Sequence, residues 1–212
     1  MFMVQCCEDA AWRLYRKSAS VSIFDLQGAR YRVQSAKLYI IIHLLQNTMP
    51  AVSPYRVLFV CLGNICRSPA AEIIFNAVAE KAGVSHLFRV DSCGTASYHT
   101  GSRPDSRMIA ALERAGYRYG GHRARTFRRA DFTDFDLIIP QDHSNEEDIL
   151  CLARHAEDAA RVRGMWNWFA ETETETAVPD PYYGGPAGFD AVVALLTRSA
   201  ENLLRELQSK LS

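Results

Sequence analysis

This sequence of 212 residues lacks a net charge, and it is also poor in lysine. Its 24 acidic residues balance 24 basic ones, so the overall charge gives no reason to expect binding to nucleic acid or to a membrane surface. Only four of the basic residues are lysines. The excess of arginine suits phosphate recognition, but codon usage explains it equally well.

Cysteine is sparse, and its spacing excludes two structural roles. The six cysteines are Cys6, Cys7, Cys61, Cys66, Cys93 and Cys151. They are too irregular for a disulfide framework, and no C-x-x-C motif is matched by a second one or by a histidine pair, as a structural zinc site requires. A reducing environment fits better, and we expect a cytoplasmic protein.

Long apolar runs are missing as well. The run at 38–45 is interrupted by His43 and is far shorter than the roughly 20 residues that cross a membrane. The sequence also lacks the basic start and the cleavage site of a signal peptide. With 48% hydrophobic residues, the chain can form one well-packed domain with an appendage.

The first quarter of the chain differs from the rest. Residues 1–53 contain apolar patches, such as 21–24, without a complete alternation of secondary structure. We interpret them as an N-terminal extension to a domain formed by residues 54–212. Because Met49 directly precedes the domain, we predict that residues 1–48 are dispensable and arise from an upstream start-site artefact. The alternative is a genuine extension whose residues 38–45 dock on the domain or on a partner.

From residue 56 onward, apolar runs alternate with helical segments, as in a parallel sheet covered by helices. We predict strands at 56–60, 88–92, 135–139 and 161–166, and helices at 68–83, 105–115, from 144 onward, and at 189–207. The expected fold is a single doubly wound α/β domain with a four-stranded parallel sheet in flavodoxin-like order and helices on both faces. Ligands bind such folds beyond the carboxyl ends of the strands, which directs attention to the loop after the first strand.

That loop begins C-L-G-N-I-C-R-S at Cys61, between an apolar strand and a serine-proline helix start. We call residues 61–67 the phosphate loop, because its backbone N–H groups and the helix N-terminus can point at one anion. Gly63 permits unusual backbone angles, and Arg67 supplies a planar fork that matches two phosphate oxygens. The same field stabilises a thiolate at Cys61, which can attack phosphorus without a metal ion. The alternative is a small buried cysteine at a strand end.

Five motifs follow one another downstream of residue 56. They are V-L-F-V-C-L-G-N-I-C-R-S-P-A-A-E at 57–72, D-S-C-G-T at 91–95, H-R-A-R at 122–125, S-N at 144–145 and D-P-Y-Y-G at 180–184. In this order and spacing they resemble the low-molecular-weight protein tyrosine phosphatases, over essentially the whole chain from residue 56. The resemblance implies an enzyme that needs no cofactor and no metal, acts on phosphotyrosine-containing proteins and forms a cysteinyl-phosphate on Cys61.

The resemblance also assigns a proton donor, Asp180, in a loop framed by proline and glycine. This residue would protonate the phenol oxygen of the leaving group and then activate water. From spacing alone, Asp180 is equally well a turn residue. The implied supporting residues of the phosphate loop are Ser68, Asn64, Ser92 and His122. Taken singly, Ser68 would be a helix cap, Asn64 a turn residue and His122 a surface side chain.

Further implied positions would contact the substrate. In the phosphate loop they are Leu62, Gly63, Ile65 and Cys66, and outside it Tyr98, Tyr182 and Tyr183, which would form aromatic walls around the phosphotyrosine ring. Cys66 would also form a disulfide with Cys61 under oxidation and so protect it.

Two positions depart from the family pattern. Tyr98 stands where many members have tryptophan, which affects substrate preference. Pro140 precedes Gln141 and Asp142 where relatives usually show a small or sulfur-containing pair, and it is expected to alter the end of the third strand. Asp142 would order the nearby backbone or Arg67.

Two other functions remain open at this point. A thioredoxin-coupled arsenate reductase shares this fold and loop but needs further closely spaced cysteines, whereas only Cys151 lies in the later region. A non-catalytic phosphotyrosine-binding module would need neither a thiolate nor an acid. The presence of Cys61, Arg67, Ser68 and Asp180 together favours the phosphatase.

Overall fold

The computed structural model describes residues 21–24, 30–33 and 53–211. The chain divides into two compact units, Met1–Val52 and Ser53–Ser212. In the first unit, strand β1 (Val21–Phe24) pairs in antiparallel fashion with strand β2 (Arg30–Val33). The sequence predicts only an apolar patch here, and the proposed docking segment at 38–45 lies outside the described residues.

In the described part of the second unit, the sheet has three strands: β3 (Tyr55–Cys61), β4 (Phe88–Gly94) and β5 (Leu137–Pro140). Strand β3 lies in the middle and pairs in parallel with both neighbours. Residues 57–60 of β3 are completely buried. A strand that is covered on both faces requires a continuous apolar run, and this explains why the sequence predicts it correctly.

Helices cover both faces of this sheet. In chain order they are α1 (Arg67–Lys81), α2 (Ser106–Arg114), α3 (Asp131–Asp134), α4 (His143–Leu150), α5 (Ala156–Ala159) and α6 (Pro186–Leu211), with 3₁₀ helices at Ser85–Leu87 and Met165–Trp168. Phe59 belongs to the core beneath α1 and α6, whereas Leu58 belongs to the core on the opposite face, with Phe132 of α3 and Ile149 of α4. The predicted α/β fold with a parallel sheet is confirmed.

The predicted fourth strand is not confirmed. Val162 forms one isolated parallel bridge with Ile138, and the chain then turns at Gly164. The ring of Trp166 fills the space that a Cβ atom at Gly164 would occupy, at 2.0 Å. The ring packs against the backbone at the point where the extended segment around Val162 ends and the 3₁₀ helix Met165–Trp168 begins.

Pro140 closes β5 without disturbing it. It lies opposite Val60 in the parallel ladder, and the N–H of Gln141 then donates to the Val60 carbonyl at 2.9 Å. The change at the strand end that the sequence suggests is therefore absent from this pairing. As a result, the carboxyl ends of β3 and β5 reach the same edge of the sheet, next to the phosphate loop.

Candidate active site

A cavity of about 360 Å³ opens at the carboxyl end of β3. Its lining residues are Cys61, Leu62, Gly63, Ile65, Cys66, Arg67, Tyr98, His99, Asp180, Tyr182 and Tyr183. The structure thus brings together the three predicted catalytic residues and the seven predicted substrate-contacting residues. His99 is the one lining residue that the sequence does not indicate.

Cys61 lies at the base of this cavity and is 3% exposed. Its Sγ accepts hydrogen bonds from the N–H of Asn64 at 3.3 Å and from the hydroxyl of Ser68 at 3.0 Å. The Cys61 carbonyl accepts from the N–H of Thr95, and the Leu62 carbonyl from that of Ala96, each at 2.9 Å. These two backbone hydrogen bonds connect the first two residues of the phosphate loop to the segment that follows β4. The sulfur is left with two donors, an arrangement suited to a thiolate.

Ser68 is not the cap of α1. The cap position is Cys66, which makes no side-chain capping bond, and Ser68 lies inside the first turn. Its hydroxyl is directed to the Cys61 sulfur and to the carbonyl of Cys93, the latter at 3.1 Å. Placing Ser68 as the helix cap is therefore wrong, and its position instead fits a hydrogen bond to the sulfur.

Asn64 is the centre of the supporting network. It is completely buried and has a φ of 53°, in the left-handed region that few non-glycine residues adopt. Its amide nitrogen donates to the hydroxyls of Ser68 and Ser92, both at 2.9 Å. Its amide oxygen accepts from the N–H of Arg125 at 2.9 Å and lies 3.1 Å from Nε2 of His122. All four supporting residues of the prediction are thus in one connected network.

The network also includes Glu72, a residue to which the sequence gives no role in supporting the phosphate loop. Oε2 of Glu72 accepts from the Ser92 hydroxyl at 2.7 Å and lies 3.2 Å from Nδ1 of His122. Glu72 is four residues after Ser68 on α1, so both side chains lie on the same helix face. The spacing from Ser68 is the feature of the sequence that could indicate Glu72. The partners of Glu72, Ser92 and His122, come from distant segments of the chain.

Arg67 is 4% exposed and is held by two carboxylates. One nitrogen pairs with Asp142 at 2.5 Å and also donates to the Val178 carbonyl, and the other pairs with Asp180 at 2.9 Å. Burial lowers the pKa of Arg67, but the charges of Cys61, Asp180 and Asp142 outweigh burial and leave the pKa raised. The guanidinium is therefore a permanent cation in the wall of the cavity.

Residues 178–185, which we call the acid loop, contribute Asp180. This carboxylate is 42% exposed, and its Oδ1 accepts from the N–H of Tyr182 at 3.1 Å. Tyr182 is 38% exposed and Tyr183 is 95% exposed. Tyr98 and His99 also line the cavity, and the centres of their rings are 4.6 Å apart. Aromatic rings therefore border the mouth of a cavity that has a sulfur at its base.

Cys66 lines the cavity but is almost completely buried, at 4% exposure. Burial raises the pKa of its thiol, with smaller contributions from Asp105, Cys61 and Asp180. Cys61 and Cys66 are both free thiols in this structure. In residues 53–211 no group of three or more His, Cys, Asp or Glu side chains is arranged to hold a metal ion. No helix in the same range is long and apolar enough to span a membrane.

Comparisons with known proteins agree with this geometry. Residues 56–212 match the family described as low molecular weight phosphotyrosine protein phosphatase. The chain is 46% identical over 156 residues to a Synechocystis protein named for the same group, covering 74% of this chain and 98% of that relative. It is 40% identical over 154 residues to the low molecular weight phosphotyrosine protein phosphatase of Schizosaccharomyces pombe, covering 72% of this chain and 96% of that relative.

A solved structure extends the similarity to the fold. The protein tyrosine phosphatase of Entamoeba histolytica, with Hepes in its active site, superposes with a TM-score of 0.71 at 37% identity. The match covers 74% of this chain and 99% of the Entamoeba chain. Sequence motifs, fold and cavity therefore lead to the same conclusion: the chain belongs to the low molecular weight phosphotyrosine protein phosphatase family.

Proposed function

We propose that the protein hydrolyses phosphotyrosine in proteins, with Cys61 as nucleophile, Arg67 as phosphate ligand and Asp180 as proton donor. The observation that carries this proposal is the shared cavity, in which the hydrogen-bonded sulfur of Cys61 lies at the base and Arg67 and Asp180 are in the wall. A site for binding alone would require neither a buried nucleophile nor a carboxylate beside it.

The first step transfers the phosphoryl group to sulfur. The Cys61 thiolate attacks phosphorus and an S–P bond forms, while the bond from phosphorus to the phenol oxygen breaks. The electron pair of that bond remains on the phenol oxygen, which takes the proton of Asp180. Arg67 and the N–H groups of the phosphate loop stabilise the negative charge on the equatorial oxygens, and no metal is required.

The second step releases phosphate. Asp180, now a carboxylate, accepts a proton from water as the water oxygen attacks phosphorus. The S–P bond breaks and its electron pair returns to Cys61, where the Ser68 hydroxyl donates a hydrogen bond to the departing thiolate. One residue thus acts first as an acid and then as a base.

The rings at the cavity mouth favour an aryl substrate. A phenol oxygen has a pKa near ~10, so it leaves poorly unless it is protonated. Tyr98 and Tyr182 line the same cavity as Cys61, so the phenyl ring of a substrate would lie beside these two rings while its phosphate reaches Cys61. Stacking against these rings would add binding energy for phosphotyrosine that a short aliphatic phosphate cannot gain.

We extend the proposal to the setting of the enzyme. Its partners would be phosphotyrosine-containing proteins, and its location the cytoplasm, where the described thiols of Cys61, Cys66, Cys93 and Cys151 stay reduced. Residues 161–163, which carry the bridge to β5, would be the remnant of the fourth strand. Residues 1–53 would be an extension outside the catalytic domain.

A turnover assay tests the function directly. The full chain is incubated with phenyl phosphate and with a phosphotyrosine peptide, and released phosphate is measured. We expect hydrolysis of both, and a chain that binds but does not hydrolyse them would contradict the proposal. A parallel assay with arsenate, thioredoxin and its reductase should show no arsenate reduction.

A further inference from the structure

The guanidinium of Arg107 contacts two aromatic rings, one of which lines the cavity. Its central carbon is 5.3 Å from the ring centre of Tyr182 and 4.7 Å from that of Phe189. Both distances are within the range of a cation–π contact. Tyr182 belongs to the acid loop and Phe189 to α6, so Arg107 connects the loop that carries Asp180 to a helix of the core.

Arg107, whose side chain is 42% exposed, is itself paired with Asp105. Nε and a terminal nitrogen of Arg107 donate to the two carboxylate oxygens of Asp105 at 3.0 and 2.7 Å. The N–H of Asp105 donates to the carbonyl of Ile65, in the phosphate loop, at 2.8 Å. The hydrogen bonds from Arg107 lower the pKa of Asp105, so the carboxylate stays charged and the pair is retained. A continuous set of contacts therefore runs from the phosphate loop through Asp105 and Arg107 to Tyr182.

The acid loop has few other attachments. Among the hydrogen bonds of the described residues, Val178 at the start of the loop is tied to Gln141 and to Arg67. The Arg67–Asp180 pair is the one that joins residues 179–185 to the phosphate loop. The N–H of Tyr182 donates to Asp180, so the position of Tyr182 influences where that carboxylate points. An incoming phosphate would compete with Asp180 for the guanidinium of Arg67. The ring contact with Arg107 would then still restrain Tyr182, beside the buried residues Val178 and Pro181 of the same loop.

We infer that Arg107 is a positioning residue for general acid catalysis, holding Tyr182, and through it Asp180, over the leaving oxygen. This inference rests on the proposed phosphatase function and adds a residue outside the catalytic motifs. Arg107 touches neither the phosphate nor the reacting atoms. Its effect should therefore appear in how strongly the rate depends on proton donation, and not in phosphate binding.

The experiment measures kcat/KM for a series of aryl phosphates, from a nitrophenol leaving group of low pKa to unsubstituted phenol. Arg107→Met keeps most of the side-chain volume but removes the cation and the pair with Asp105. We expect kcat/KM for phenyl phosphate to fall about tenfold, a fraction of the 10²–10⁴ that a general acid provides. The best leaving group should lose less than about threefold, which steepens the dependence on leaving-group pKa.

Two further variants test whether the effect depends on the positive charge of Arg107 and on its position at the start of α2. Arg107→Lys keeps a cation near Tyr182 and should recover most of the loss. Arg114→Met is the matched control, because Arg114 lies at the other end of α2 and pairs with Asp190 of α6 at 2.6 Å. That variant should leave the dependence on leaving-group pKa unchanged.

A double variant identifies the residue through which Arg107 works. In an Asp180→Asn background, adding Arg107→Met should not steepen the leaving-group dependence any further, because the acid is already absent. Equal losses for all leaving groups, or a full additional effect in the double variant, would overturn the inference while the phosphatase function stood. A wild-type chain without activity on any aryl phosphate would overturn the proposed function and this inference with it.

Discussion

The phosphate loop and the acid loop line the same cavity but are held in different ways. Asn64 of the phosphate loop and Ser68 directly after it are completely buried, and their side chains hydrogen-bond to each other and to neighbouring segments. In the acid loop, Asp180 and Tyr183 are exposed, and an ion pair and ring contacts hold the loop in place. Regions with few buried contacts open at low free energy. Cys61, the proposed nucleophile, therefore lies in the half of the site with more buried contacts, which we call the rigid half. Asp180, the proposed proton donor, lies in the half with fewer buried contacts.

This difference separates two kinds of functional loss. A change in the phosphate loop should lower the rate of hydrolysis of every substrate alike. The reason is that the phosphate of each substrate contacts the same sulfur and the same N–H groups. A change in the acid loop should depend on the substrate, because leaving groups differ in their need for a proton. The following variants are ordered by the size of the expected effect.

Cys61→Ser should have the largest effect. Removal of an enzyme nucleophile costs on the order of 10⁶ in kcat, and we expect a comparable loss for every aryl phosphate. Calorimetric titration with vanadate or phosphate should still show binding, because Arg67 and the loop N–H groups remain. Cys151→Ser, at an exposed cysteine, is the control and should be fully active. Near wild-type hydrolysis by Cys61→Ser would contradict the mechanism.

Asp180→Asn should come next, with a loss of about 10²–10⁴ for phosphotyrosine. Leaving groups of low pKa should lose far less, because they depart without a proton. The measurement is kcat/KM across an aryl phosphate series, with Asp190→Asn as a surface control. A loss that is the same for all leaving groups would mean that Asp180 acts only through structure.

Asn64→Ala should damage the rigid half without distinguishing substrates. The variant leaves the buried hydrogen-bond partners of Asn64 unsatisfied and places alanine at a φ of 53°. We therefore expect the free energy of unfolding to fall by about 3 kcal/mol. Asn64→Gly, which tolerates that φ, should recover only the backbone part. Urea titration measures both, and Asn76→Ala on the exposed side of α1 should stay within about 0.5 kcal/mol of wild type. A loss of activity in Asn64→Ala that varies with the leaving group would contradict the proposed difference between the two loops.

Oxidation provides a smaller and reversible change in the phosphate loop. Mild peroxide should inactivate the enzyme, and a thiol reductant should restore most of the activity through a Cys61–Cys66 disulfide. In Cys66→Ala the recovery should fall several-fold, as Cys61 is oxidised irreversibly. Mass spectrometry identifies the cross-link, and Cys93→Ala is the control at another buried cysteine. Recovery in Cys66→Ala equal to that of the wild type would rule out this protection.

Deletion of residues 1–48 should have the smallest effect. Both loops lie in the second unit, so residues 49–212 should retain the kcat/KM and the melting temperature of the full chain. Activity with an aryl phosphate and a thermal melt provide the two measurements. A truncated form that is insoluble or clearly less stable would show that the extension supports the domain.

Much of this fold can be read from the sequence because its signals are local. Strand β3 is a continuous apolar run, and the phosphate loop occupies seven consecutive residues that follow it. Four-residue helices such as α3 and α5 give no periodic signal, so the sequence does not predict them. Strand β2 of the hairpin shows an alternation of only four residues, R-Y-R-V, which is too short to predict a strand.

The parts of the site that the sequence does not reveal depend on contacts between distant segments. Glu72 acquires its place from Ser92 and His122, and Arg107 from Tyr182 and Phe189. Arg107 lies outside the five motifs, and Glu72 ends the motif at 57–72, which by itself indicates none of its contacts. The pairing of Arg67 with Asp180 joins positions 113 residues apart, and spacing alone does not predict it.

That pairing would make substrate binding a competition between anions. The Arg67 guanidinium that would hold phosphate already pairs with Asp180, so weakening of this pair would offset part of the affinity for phosphate. Salt weakens both pairs together, and the affinity should therefore vary less with ionic strength than at an arginine without a partner. The same competition would free the Asp180 carboxylate when the phosphate arrives. Binding of the substrate would in this way recruit Asp180, the proposed proton donor, for the reaction.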